Sequence, residues 1–283
     1  MQLACLQLCT GMDPDKNARQ LERDIARAVA GGAQFVALPE TCNFMARGRN
    51  GLRERLCAED DDPVVQTLGA AARNHGIYIL AGSVVVKSGD GRAANRSLMI
   101  GPEGNILARY DKIHLFDVTL ETGETHRESA NYRAGDHRET VLLPWGRLGL
   151  SICYDVRFAY LYRALAHDGA DLISVPSAFT RPTGEAHWHV LLRARAIETG
   201  CFVFAPAQFG LHENGRETYG HSLIINPWGK VLAEARNQPN IDEAEIVSAE
   251  IDIALVGKVR QSIPALQHDR LDSVIDQLDR SKT

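Results

Sequence analysis

Three residues of complementary chemistry lie at strand ends: Glu40 after FVALP, Lys112 in RYDKIHLFD, and Cys153 closing LGLSIC. A carboxylate can take and return a proton, an ammonium can stabilise developing negative charge, and a thiol can attack a carbonyl carbon. In open α/β folds ligands bind beyond the carboxyl ends of the strands, so residues at three strand ends are placed to meet. Cys153 also precedes a run that reads as a helix starting near Asp155, and free N–H groups at a strand-to-helix turn favour a thiolate. The other cysteines lack this combination: Cys5, Cys9 and Cys201 lie in apolar strands, and Cys42 and Cys57 in loops.

The elements that must position this trio are visible in the periodicity. Leu21, Ile25, Ala28 and Val29 share one face of a helix over 17–31, and AQFVALPE follows as a strand. A helix over 64–75 runs to Gly76, and IYILAGSVVV is a strand buried on both faces. RLGLSIC, ADLISVPSAF and CFVFAPAQF are further strands, alternating with helices in FAYLYRALAHDG and over 185–199. SLMIGPEGNILA (97–108) matches SLIINPWGKVLA (222–233) without gaps, 125 positions on. Each is two apolar runs about a Pro-x-Gly turn, a hairpin that follows a helix and a buried strand. The chain therefore reads as two similar α/β halves, which predicts helix-flanked sheets packed face to face. A barrel of eight βα units shares the alternation, but the hairpins count against it. The polar loop over 117–139 exceeds the roughly 15 residues usual for an unstructured connection, which marks it as a functional or lid segment. From Pro264 the tail is polar with Leu266, Leu271, Ile275 and Leu278, an exchanged arm or a frayed terminus.

Composition removes several classes of function. Across 283 residues, 31 Lys and Arg against 36 Asp and Glu give a net charge of −5, which offers no footprint for a phosphate backbone. No apolar run approaches the ~20 residues that span a bilayer, and the N-terminus lacks the basic segment of a secretory signal, so a cytoplasmic protein is expected. Six cysteines without a CxxC pair argue against a disulfide framework and a zinc site. His187 and His189 in HWH fall on a helix, where residues two apart do not face each other, so a metal role is not expected. His114 reads as a packed histidine that orients the Lys112 loop.

LPET (38–41), YDKIHLFD (110–117) and CYDVRF (153–158) together resemble the signature of the nitrilase superfamily of carbon–nitrogen hydrolases. The resemblance extends in order through AHWHVLLRARAIETGCFV (186–203) and YGHSLIINPWGKVLAE (219–234) to about residue 266. It implies one domain over 1–266 with a tail over 267–283, folded as a four-layer α-β-β-α sandwich with internal pseudo-two-fold symmetry. It also implies a homodimer or higher homo-oligomer and neither metal nor organic cofactor. The superfamily's glutamate general base falls on Glu40, its lysine on Lys112 and its nucleophile on Cys153. A second glutamate that positions the substrate amide falls on Glu128, with Glu121 and Glu124 as competing assignments in the same loop. The backbone N–H of Tyr154 would complete an oxyanion hole.

Within the superfamily, YDKIHLFDV, CYDVRF, GHS and NPWG are similar to the branch of ω-amidases and deaminated glutathione amidases, whose substrates are amides of 2-oxo acids. APAQFG (205–210) followed by YGHS resembles the deaminated glutathione side of that branch. The resemblance places Arg157 as the arginine for the substrate carboxylate and puts Phe179 and Thr183 on the pocket wall. Residues read in isolation leave other roles open: Arg157 pairing with Asp155, Phe179 as core, Thr183 as a helix cap. An N-carbamoyl amine amidohydrolase would use the same four catalytic positions. A nitrile hydrolase, a redox-sensing thiol and a non-catalytic binding module are more distant readings. The sequence departs from the family where AYLYR follows CYDVRF and over 121–131, both near the pocket mouth.

Overall fold

The computed structural model describes residues 1–119, 123, 125–236 and 243–270. Two helices of the first half begin the same way. Asp13 accepts hydrogen bonds from the Asp15 and Lys16 N–H groups ahead of helix Pro14–Ala30, and Asp62 caps Val64 and Val65 of helix Pro63–His75. In each case proline occupies the first helical position, where its missing N–H costs nothing. Gly76 ends the second helix in a left-handed conformation at φ 63°.

These helices cover one face of a six-stranded sheet. Its order is Glu245–Glu250, Gln2–Gln7, Phe35–Ala37, Tyr78–Lys87, Ala93–Ile100, Ile106–Asp111. The three strands after the first run parallel, and the hairpin returns antiparallel. A second sheet repeats the plan: Thr140–Leu143, Gly146–Gly149, Leu172–Ser174, Phe202–Ala205, Leu223–Ile225, Val231–Glu234. Its three inner strands are likewise parallel, with the hairpin antiparallel beyond them. The matched hairpins agree to the hydrogen bond, since Gly101 N–H to Asn105 O recurs as Asn226 to Lys230, both at 2.9 Å. The bulge between Met99 and Ile100 recurs between Ile224 and Ile225. The duplication read from sequence is thus a duplication of topology, and neither sheet closes into a barrel.

Strand alternation sends side chains to two layers. Ala4, Leu6, Val36, Leu38 and Ile79 pack with Leu21, Ile25, Val64 and Leu68 under the helices. Leu3, Cys5, Phe35, Ala37 and Leu80 face the second sheet, in one core with Leu148, Leu172 and Phe204. Phe35 meets Phe204 edge-on at 5.5 Å, fixing the sheets face to face. Helices Ala159–His167 and Arg181–Thr199 lie against the second half, completing the α-β-β-α order. Among the described residues no helix is long and apolar enough to cross a membrane. Glu121, Glu124, Leu271, Ile275 and Leu278 lie outside the described residues.

The small hairpin Phe209–Leu211 with Glu217–Tyr219 is fastened across the halves by His212, whose ring meets the Thr10 carbonyl (3.0 Å) and the Thr218 hydroxyl (2.7 Å). Burial pushes this imidazole down from 6.5 to about 4, with the nearby Arg216 charge adding to the effect. The folded value lies below the unfolded one, so on acidification the unfolded chain binds the proton first. Stability is then full above pH 6.5 and is lost as pH falls toward 4, by about 3 kcal/mol. Urea titrations at pH 7 and pH 4 should show a correspondingly larger loss for the native protein than for His212→Gln. Equal losses would assign the acid sensitivity to other groups.

Candidate active site

The strands end earlier than the apolar runs, so Glu40 stands on a loop and Cys153 on a short turn beyond them. Leu38 N–H still reaches the Leu80 carbonyl (2.9 Å), which carries the chain along its neighbour for one more residue before Glu40. The Glu40 carbonyl is then held by Gln208 Nε2 (2.9 Å) and the Thr41 hydroxyl (2.8 Å). Thr41 has a left-handed φ of 54°, a conformation unusual for a β-branched residue and characteristic of sites where geometry is imposed.

Glu40 is buried, and each carboxylate oxygen has assigned partners. Oε1 accepts from Lys112 Nζ and Asn95 Nδ2, both at 2.9 Å, and Oε2 accepts from the Ala178 N–H at 2.8 Å. Lys112, 2% exposed, also donates to both Glu128 oxygens at 3.2 and 3.0 Å. Glu128 is fixed from its other side by the Phe116 N–H at 2.6 Å and by Asn95 Nδ2 at 3.2 Å. The described part of the polar segment over 117–139 is therefore built into the site through Glu128. It forms the hairpin Asp117–Thr119 with Thr125–Arg127 and a single turn at Glu128–Ala130 that delivers the carboxylate.

Cys153 opens a 3-10 turn, Cys153–Arg157, and the α-helix begins only at Ala159. Its φ is 49°, and its N–H donates to the Pro176 carbonyl at 2.9 Å. Asp155 holds the turn: fully buried, it accepts from Ile152 N–H (2.8 Å), Tyr110 hydroxyl (2.7 Å) and His114 N–H (3.1 Å), with His114 Nδ1 at 2.6 Å. His114 also stacks on Phe158 at 3.6 Å. The Lys112 segment and the Cys153 turn are thus tied through one buried carboxylate.

The expected thiolate at a helix N-terminus is not what the surroundings favour. Burial pushes the Cys153 thiol up, the Glu40 carboxylate adds to this, and Lys112 only partly opposes it. For Glu40 burial favours the neutral acid, but Lys112 and then Arg216 outweigh it and the carboxyl is held below its ordinary value. Lys112 is raised well above the usual range, because Glu128 and Glu40 overcome the burial that would discharge it. While Glu40 is ionised, the buried ammonium is shared by two carboxylates and has no surplus positive charge for a resting thiolate; once Glu40 takes a proton, that charge is free for a developing oxyanion. The resting pair is a thiol beside a carboxylate, the arrangement for proton transfer during attack.

These groups line a cavity of about 240 Å³ whose apolar walls include Phe116, Tyr132, Tyr154 and Phe179. Over residues 2–261 the chain matches the carbon–nitrogen hydrolase family. The chain belongs to the carbon–nitrogen hydrolase family. Among its relatives, the deaminated glutathione amidase of Synechocystis is 43% identical over 94% of this chain and 96% of its own. That of Yersinia enterocolitica is 38% identical over 99% and 97%. Saccharomyces cerevisiae Nit3, described as a member of branch 10 of the nitrilase superfamily, superposes with a TM-score of 0.81 at 28% identity, covering 93% of this chain and 94% of that one.

In this carbon–nitrogen hydrolase Glu40, Lys112, Glu128, Cys153, Tyr154, Phe179 and Thr183 all line the one cavity. Arg157 does not line it. Its guanidinium lies 5.5 Å from the centre of the Phe179 ring and meets His187 at 3.3 Å, while Asp155 is bound elsewhere. Thr183 bonds Thr180 at the start of its helix as well as facing the cavity. Asn95, Ala178 and Arg216 were not anticipated. Asn95 had a signal, a polar residue inside an apolar strand; Ala178 acts through its backbone, and Arg216 sits in a hairpin with no local mark. His189 joins His221 rather than His187: both imidazoles reach Glu234 Oε1, at 2.9 and 2.8 Å, and fasten the second hairpin to helix Arg181–Thr199.

Proposed function

We propose that this hydrolase cleaves deaminated glutathione to 2-oxoglutarate and Cys-Gly through a cysteine thioester. The observation that carries the chemistry is the Glu40 carboxylate, the Lys112 ammonium and the Cys153 thiol converging in one buried cavity. Glu40 takes the thiol proton as sulfur attacks the amide carbon, forming the S–C bond. The carbonyl oxygen becomes an oxyanion beside Lys112 and the Tyr154 N–H, stabilisation for which one donor is typically worth ~10²–10³ in rate. On collapse the C–N bond breaks and the amine leaves with the proton from Glu40. Water then gives a proton to Glu40 and adds to the thioester. Collapse of that second adduct breaks the S–C bond, and the proton returns to sulfur. Glu128, holding Lys112 from the other side, positions the ammonium and faces the substrate amide.

The 2-oxo acid amide is supported by the similarity to the two amidases above and by the cationic side chain of Arg127 on the cavity wall. The homodimer and the cytoplasmic setting belong to the same reading; sedimentation velocity on the purified chain reads the first. Incubation with deaminated glutathione and, separately, with 2-oxoglutaramate should release 2-oxoglutarate faster from the first, and Cys153→Ala should abolish both. Preference for 2-oxoglutaramate would make the protein an ω-amidase. Turnover of N-carbamoyl amines alone would move it to the other amidohydrolase branch.

A further inference from the structure

Arg216 reaches the cavity from the hairpin that His212 anchors, and part of its guanidinium is committed: Nη2 donates to the Ala178 carbonyl. Ala178 is also the residue whose N–H holds Glu40 Oε2, whereas Lys112 and Asn95 hold Oε1. Arg216 therefore stands at the Oε2 side of the general base, and its charge acts on both Glu40 and Tyr132. The remainder of the guanidinium is incomplete. Nε is buried and, among the described residues, has no hydrogen-bond partner. The acidic side chains on the cavity wall, Glu40 and Glu128, are already bound to Lys112. A guanidinium with an unmet N–H in a cavity whose carboxylates are taken calls for an acceptor brought by the ligand.

We propose that Arg216 is a specificity residue that binds the carboxylate carried by the leaving amine. The inference rests on the deaminated glutathione reading. Glu40 delivers its proton to the departing nitrogen, so a cation anchored to the residue that holds Glu40 Oε2 lies on the leaving-group side of the scissile bond. Cys-Gly ends in a carboxylate and ammonia has none, so two substrates with the same 2-oxo acyl group differ in whether they can use Arg216.

The test compares kcat/KM on deaminated glutathione and 2-oxoglutaramate for the native protein, Arg216→Lys and Arg216→Met. Whatever the substitutions do through Glu40 or the Ala178 carbonyl affects both substrates and cancels in the ratio. The ratio of the two rates should fall about 10- to 100-fold in Arg216→Met, and by less in Arg216→Lys, which keeps the charge but loses the planar fork. An unchanged ratio, with the native protein active on deaminated glutathione, overturns the role of Arg216 and leaves the substrate reading intact. A native protein inactive on deaminated glutathione overturns both.

Discussion

Glu40→Gln is expected to lower kcat by at least about 10²–10⁴-fold while the protein stays folded, because in the proposed mechanism one side chain accepts the thiol proton, delivers it to the amine and activates water. The amide keeps the size of the carboxylate. It cannot take a proton, and its NH2 group must face either the Ala178 N–H or the Lys112 and Asn95 donors that now converge on oxygen. The substitution also removes the anion that helps push the Cys153 thiol up, leaving Lys112 to act on the sulfur with less opposition. Iodoacetamide alkylation of Cys153 should therefore move to lower pH in the variant that has lost its turnover. If activity and alkylation were both unchanged, Glu40 would not be the base.

The native pH profile follows from the same two shifts. Glu40 is held below its ordinary value and stays ionised as pH falls through the normal carboxylate range; Cys153 is held above its ordinary value and stays protonated as pH rises toward it. Both working forms therefore coexist through neutrality, and kcat/KM should be level between about pH 6 and pH 8. A rise with the slope of a titrating thiol in that interval would mean that thiolate is the resting species.

The second large effect lies behind the site. Gly82 sits in strand Tyr78–Lys87, where the pairing with Ala93–Ile100 shifts between Ala81 and Val84. A Cβ there would fall 1.8 Å from the Leu38 carbonyl oxygen, 2.7 Å from that of Pro39 and 2.5 Å from Pro176 Cβ. Leu38 and Pro39 lead into Glu40, and the Pro176 carbonyl anchors the Cys153 N–H. A single methyl group would thus push apart the segments that carry Glu40 and Cys153. Backbone atoms cannot rotate away as a flexible side chain could, so Gly82→Ala should cost at least about 3 kcal/mol, at or beyond the upper end of ordinary overpacking. Any folded fraction should lose about 100-fold or more in kcat, since a displacement near 1 Å suffices for that. Gly32→Ala is the comparison: its φ of 89° strains an alanine, but nothing lies within 4 Å of the new Cβ. It should cost about 1 kcal/mol and spare kcat. Equal stability and activity for the two variants would show that Gly82 yields space that the surrounding backbone can spare.

Glu40, Lys112 and Cys153 were legible as candidates because each is a chemically distinct residue read at a strand end, and strand ends are where an α/β sheet gathers its ligands. The two-sheet plan was legible because residues 97–108 and 222–233 preserve the turn and the apolar pattern of one hairpin, and local hydrogen bonding then reproduces the same bulge. The strands themselves were overread. An apolar run continues wherever the core continues, whereas a strand ends where its neighbour stops offering backbone partners, so Glu40 belongs to a loop and Cys153 to the 3-10 turn that follows the strand. The protonation state of Cys153 was beyond the sequence too, because it depends on burial and on Glu40, a residue remote in the chain. Among the carboxylates of the 117–139 segment, only folding brings Glu128 to Lys112 and the Phe116 N–H. Asn95 and Ala178 meet Glu40 across 55 and 138 positions of chain, and no periodicity carries information over such separations. The sequence by itself singled out the candidate reacting groups and determined the duplicated scaffold, since side-chain chemistry and short-range pattern are local properties. The tertiary structure alone decided which groups hold them, which are charged, and that Arg216 rather than Arg157 lines the cavity, because those follow from distances between remote segments.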